Sequence, residues 1–495
     1  MGILSQLIFI PLLGMIVVMF IPKQNKWAIR WGATFFSAVP CVQSLWLLWD
    51  YYYGFSGSHL MSYVEGPFSW VPSLNAQYYL GVDGISVPML ALTGLLSLIS
   101  VVASFNIENR VKEYFAFFLL LEAGMMGVFA SLDFFLFYVF WEIMLVPMYF
   151  LIGIWGGPRK EYAAIKFFLY TLFGSIFMLV AILILYFTSE PHTLNILEHV
   201  QNGSMLPYTV QMVCFIFFFI AFAIKVPVWP FHTWLPDAHV EAPTAVSVIL
   251  AAVLLKMGTY AMLRISWPMF PAALRDCAIY VAWLGLIGII YGALVSMAQK
   301  DLKKLVAYSS VSHMGFCMLA LAAYPSEQAI AGCMYQMVSH GLLTGAMFLL
   351  VGVLYDRAHT REIAAFGGLG SKIPVYTAIM VFFAMGSLGL PGMSGFISEF
   401  MIFVGSFGVL DQKWIVGASV VGVLLGAAYL LRMVQRMFLG PFDEAKWGFL
   451  TEINVREILT VAPLMILTLW VGVYPKPLNV LMNATLQNLI SMMTR

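Results

Sequence analysis

A polytopic, all-α membrane protein with about fourteen spanning helices is the fold that this sequence predicts, and three observations carry it. The first is a shortage of charge. Of 495 residues, 62% are hydrophobic and 10% are Asp, Glu, Lys or Arg, whereas soluble domains average about 25% charged. The second is the length of the apolar runs, about 18 to 25 residues, which matches a bilayer core. A porin-like barrel is excluded because its strands alternate apolar and polar residues, and Phe167–Phe187 is apolar all round. The third is an uneven spread of Lys and Arg between alternate loops.

In chain order the predicted spans are 3–21, 30–50, 84–105, 114–131, 133–154, 163–187, 209–238, 244–265, 273–298, 303–323, 328–354, 375–408, 414–437 and 457–474. The apolar N-terminus has no basic region before it and no small-residue cleavage site, so it reads as a retained helix. Eighteen Lys and Arg follow odd-numbered spans, from Lys23 to Arg456, and five (Arg264, Arg275, Lys413, Lys476 and Arg495) lie on the other side. The positive-inside rule then puts both termini outside. The net charge of +1 gives no bias toward nucleic acid. Cys41, Cys214, Cys277, Cys317 and Cys333 form no C-x-x-C pair and read as small core residues. No dinucleotide or Walker motif is present, and Gly367–Gly370 reads as a turn. Asp133 reads as a helix end, and His192 and His199 as solvated loop residues.

Two spans read as broken: the seventh at Pro227 and Pro230, the twelfth at Gly389, Pro391 and Gly392. A proline removes a backbone donor and clashes with the preceding turn. In lipid the freed carbonyls need new partners, so such breaks survive where they are buried or line a wet cavity. The breaks lie 164 residues apart, and Ala164-Ile165…Tyr170 recurs as Ala329-Ile330…Tyr335 at an offset of 165. A duplicated unit of about five helices follows, and paired broken helices point to an ion pathway near the midplane.

Four charges stand inside apolar helices: Glu142, Lys225, Lys256 and Glu399. Each costs about 2.5 to 3.5 kcal/mol at a helix centre. Burial disfavours a charged group and a nearby opposite charge favours it. Such groups can therefore pass protons as their partners move, and a proton relay is the expectation. His232, His239, His313 and His340 join the candidates, because imidazole donates from one nitrogen and accepts on the other. Packing histidines, or haem ligation by His313 and His340, are the competing readings. Glu122, also in an apolar run, reads equally as structural.

Four long motifs add a resemblance: Trp141–Tyr149 (WEIMLVPMY), Ile154–Gly157 (IWGG), Lys225–Pro243 (KVPVWPFHTWLPDAHVEAP) and Leu305–Gly315 (LVAYSSVSHMG). Together they resemble the antiporter-like membrane subunits of respiratory complex I, the NADH–quinone oxidoreductase. Within that group the chain looks most like the subunit M, or subunit 4, family. Glu399 favours this type, because the matching position in the L and N types is usually lysine. The chain also ends soon after its fourteenth span, without the long lateral helix of the L type. The resemblance implies Glu142–Lys225 as a switching pair, Lys256 as central relay, Glu399 as exit group, and His313 and His340 as the bridge. It implies helices 1–3 over residues 1–112, inverted five-helix repeats over 113–266 and 272–438, and a last helix in 455–495. It further implies no cofactor in this chain, with NADH, FMN, iron–sulfur clusters and quinone in partner subunits. The implied neighbours are chains of the L, N and K types and lipids, in a bacterial or mitochondrial inner membrane. An Mrp-type Na⁺/H⁺ antiporter subunit and a membrane subunit of an energy-converting hydrogenase share these motifs and remain alternatives.

Overall fold

The structure is a computed structural model that describes residues 2–54 and 61–494. Lipid offers no hydrogen bonds, so a spanning backbone must satisfy itself, and helices do so locally. Thirteen helices among the described residues are long and apolar enough to cross a membrane. The remaining predicted span, the twelfth, is present as two shorter apolar helices, Pro374–Ser387 and Ser394–Val409. All fourteen predicted spans therefore find helices, mostly with ends shifted by a few residues. The outer rim carries bare apolar side chains such as Phe20, Trp27, Phe173 and Leu424, as a lipid-facing surface requires. The innermost helices, Thr244–Met269 and Glu327–Ala358, are buried over nearly their whole apolar length.

Two elements escaped the sequence reading. An antiparallel hairpin pairs Ser62–Val71 with Ala76–Val82. It turns through Asn75, in the left-handed region at φ 51°. Its Glu65 accepts from the amides of Leu4 and Ser5 and so caps the first helix, Ile3–Phe20. The second is Lys476–Met493, which follows Val455–Val473. The expected single helix of 455–495 is thus two. This last helix packs across the ends of several spans on the Lys/Arg-poor side; its Thr485 hydroxyl accepts from the Gly84 amide. Asn479, Asn483 and Gln487 form an exposed polar face opposite buried Leu481, Met482, Leu486 and Leu489, so it carries no bilayer-length apolar run.

Both predicted breaks are present. After Tyr208–Lys225 the chain leaves helical geometry and resumes at Trp234–Glu241. The Trp234 indole donates to the Ile224 carbonyl at 2.9 Å, and the Val228 amide to the Ala223 carbonyl at 2.7 Å. These bonds take up carbonyls that the break had freed. The second break turns on Gly389 and Gly392, at φ 83° and 90°, where a side chain would be strained. A third irregularity was not anticipated. The Thr244–Met269 span contains two π-helical turns, Leu250–Leu254 and Met262–Ser266, a feature often found at functional sites.

Candidate functional site

The π-helical turn sets up the centre of the molecule. Lys256 follows it directly and is fully buried. Its Nζ donates to the Ala251 carbonyl inside that turn and lies 2.5 Å from His340 Nδ1. His340 reaches this lysine because its helix comes close: Gly341 packs against the Ala252 carbonyl, where a Cβ would be only 3.1 Å from the oxygen. The rings of His340 and His313 are 5.6 Å apart, centroid to centroid. His313 Nδ1 is 3.5 Å from Glu399 Oε1, and Ser387 Oγ is 3.2 Å from His313 Nε2. The second break positions this end, since Glu399 Oε2 sits against Gly389, 3.0 Å from where a Cβ would stand. The four side chains thus form one buried file, Lys256–His340–His313–Glu399.

A small cavity lies along the file, lined by His313, His340, Ser339, Ser387 and Glu399. Its water-accessible volume is about 10 Å³, near the minimum for one water. That space excludes a porphyrin between His313 and His340, so the haem reading fails on size. Around it Ser398 donates to Gln336 Oε1 at 2.5 Å, and the hydroxyls of Ser339 and Ser394 are 2.9 Å apart. Gln336, Ser387 and Ser398 were missed by the sequence reading, which looked for charges and imidazoles. Their signal was present as polar residues on helix faces that are otherwise apolar.

The other candidates stand apart from this file. Lys225 is 1% exposed, and its Nζ has no hydrogen-bond partner among the described residues. It faces the rings of Trp141 at 5.3 Å and Phe167 at 5.9 Å, a cation–π setting. Glu142 Oε1 is likewise buried without a partner. The expected switching pair is therefore not in hydrogen-bond contact here. His232 and His239 are buried, and neither ring nitrogen of either has a partner among the described residues. His232 meets the edge of Tyr291, and His239 stacks on Phe348 at 4.5 Å.

Several charges fall differently from their reading as loop or solvated groups. His199 is buried, with Nε2 2.9 Å from the Thr193 carbonyl oxygen. Arg264 is buried and pairs with Asp83 at 2.5 Å. Lys303 is buried too. Asp133 does end a helix, and its side chain accepts from the amides of Phe135 and Leu136. Glu122 is fully buried, with no hydrogen-bond partner for either oxygen among the described residues.

An apolar bundle with two broken helices and a file of buried ionisable groups is the build of an antiporter-like membrane protein. The chain belongs to the NADH:quinone oxidoreductase/Mrp antiporter transmembrane family, which matches residues 131–426. It is 43% identical to NADH-quinone oxidoreductase subunit M of Rhodobacter capsulatus, over 99% of this chain and 96% of that one. A chain of respiratory complex I from Thermus thermophilus with bound NADH superimposes with a TM-score of 0.89 at 26% identity, covering 99% of each. A chain of the Mrp complex from Dietzia shares the fold, with a TM-score of 0.84 at 19% identity over the full length of both.

Proposed function

We propose that this chain moves protons across the membrane as a membrane-arm subunit of an NADH:quinone oxidoreductase. The observation that carries this reading is the continuous file from Lys256 through His340 and His313 to Glu399. Each member can hold or release a proton, and neighbours lie within direct or one-water reach. The fuel is quinone reduction elsewhere in the complex, with NADH, FMN and iron–sulfur clusters in other subunits. The relative named subunit M, alike over nearly the whole chain, supports this over the Mrp reading. Chains of the L, N and K types and lipids are its neighbours. A bacterial inner membrane fits the bacterial relative.

Two inverted repeats organise the path. Five membrane-length elements run from Val111 to Met269, and five more from Pro271 to Phe438; in each set the fourth is broken. An odd number of crossings makes the second set enter from the opposite face, so its broken helix points the other way. Glu142 and Lys225 form the switch. The unpartnered Lys225 Nζ and Glu142 Oε1 support a state in which the two make no direct contact, and closure of the gap would stabilise both charges. The test is quinone-linked proton pumping by the assembled complex in vesicles. Lys256→Met and Glu399→Ala are expected to lose it, and normal pumping by both would overturn the reading.

A further inference from the structure

Two side chains compete for one nitrogen at the Glu399 end of the file. His313 Nδ1 lies 3.5 Å from Glu399 Oε1 and 3.5 Å from Gln336 Nε2. The two have opposite chemistry. An amide nitrogen can only donate, so it suits a bare Nδ1; a carboxylate can only accept, so it suits Nδ1–H. One nitrogen cannot serve both at once. Ser387 Oγ, 3.2 Å from Nε2, can donate or accept and so fits either state.

The fold aims the amide. Gln336 stands one helical turn before His340 on Glu327–Ala358 and so shares its face. One turn earlier, Gly332 lets Ser394–Val409 come close: a Cβ there would be 2.8 Å from the Ile402 amide nitrogen. Ser398, next to Glu399, thereby reaches Gln336 Oε1 at 2.5 Å. Gln336 Nε2 also lies 3.4 Å from the His313 carbonyl oxygen, which can only accept. The nitrogen end must therefore face His313, and the oxygen end takes the Ser398 hydroxyl. Gln336 and Ser398 are buried, where an amide hydrogen without an acceptor is costly.

We propose that Gln336 is a positioning residue that keeps Nδ1 of His313 bare, so that His313 rests neutral, unpaired with Glu399, and hands on each proton it receives. A proton from His340 crosses a water in the cavity and forms an N–H bond at Nδ1. That N–H then faces the amide hydrogens of Gln336, and the contact turns from attraction to repulsion. The N–H bond breaks toward Glu399, an O–H bond forms on its carboxylate, and the bare Nδ1 returns to Gln336. Without the amide, imidazolium and carboxylate would hold each other as an ion pair and stop the file. The role rests on the proton-pumping reading above and adds a group that carries no proton itself.

The test measures NADH-driven turnover and acidification by the assembled complex in vesicles, from about pH 8 to about pH 6. Gln336→Met keeps the length of the side chain and removes the donor. It should slow coupled turnover by roughly tenfold, and more at the lower pH, because the locked pair holds one proton more. His340 and Glu399 are the titratable side chains on the cavity, with Lys256 behind His340 and Tyr429 behind Glu399. In a Glu399→Gln background there is no ion pair to prevent, so Gln336→Met should add less than about twofold. A merely structural glutamine would give the same loss in both backgrounds and at every pH. Ser398→Ala, which frees the amide oxygen, should repeat the pattern at about threefold, and it decides the matter if Gln336→Met does not assemble. Turnover equal to the parent's, or an equal loss in both backgrounds, at normal yield on a native gel would overturn the role. If Lys256→Met has lost pumping in that case, the role of Gln336 alone has failed. If Lys256→Met also pumps, the pumping reading has failed with it.

Discussion

The two broken helices hold their charges in opposite ways. At the first break Lys225 lies beneath aromatic rings with no hydrogen bond, and Glu142 has a bare buried oxygen. At the second, Glu399 meets an imidazole that is itself held by Ser387, beside space for a water. An unpartnered buried charge is costly, and its balance shifts when a neighbour moves by a few ångströms. A file whose members have polar neighbours is cheaper to keep. On the reading proposed above, the contrast fits control at the first break and conduction along the file that ends at the second.

Variants that erase the dry end should be the most damaging. Lys225→Ala and Glu142→Ala are each expected to abolish proton pumping in the assembled complex, measured with a pH-sensitive dye in vesicles. Near-normal pumping and quinone reductase activity in both would end the control role. Glu399→Gln removes a charge but keeps a hydrogen-bonding group beside His313. It should slow coupled turnover by roughly tenfold or more, a loss on the low side for a general acid–base group, while complex yield stays normal. A turnover equal to the parent's would remove Glu399 from the path.

The Asp83–Arg264 pair offers a control of a third kind, a buried charge in direct contact with its counter-charge. It joins the third span's start to the eighth span, and Arg264 also lies over the Tyr260 ring. Arg264→Ala strands the Asp83 carboxylate and should cost about 3–5 kcal/mol of stability. A lower melting temperature with unchanged protons per electron is the expected pattern. Loss of pumping at full stability would move this pair into the mechanism.

The smallest effect is expected outside the membrane. Burial pulls the His199 imidazole below its ordinary value, against the Thr193 carbonyl, which pulls it up. The unfolded chain therefore binds the proton more readily than the folded one, and stability falls as pH drops below about 6.5. His199→Gln should flatten that slope in thermal melts between pH 7 and 5. A slope that persists would locate the titrating group elsewhere.

Spans, breaks and the four intramembrane charges were legible because lipid imposes rules that a single sequence must obey. A bilayer-length apolar run, a proline inside one, and a charge inside one each have few physical readings. The hairpin at Ser62–Val82 and the Lys476–Met493 helix obey the looser rules of an interface, where polar and apolar residues mix. Lys303 and Arg264 read as loop charges because position along the chain does not tell which way a side chain turns. The π-helical turn at Leu250–Leu254 left no mark, since its residues are ordinary helix formers. It nevertheless offers Lys256 its carbonyl partner. The separation of Glu142 from Lys225 depends on how helices pack, beyond what spacing records.

The central claim is that protons run along the Lys256–His340–His313–Glu399 file. Its most direct test is the number of protons moved per electron by the assembled complex carrying Lys256→Met, with assembly checked on a native gel. A lower ratio, with this chain's share missing or electron transfer stalled along with it, is the expected result. An unchanged ratio at an unchanged rate would contradict the file.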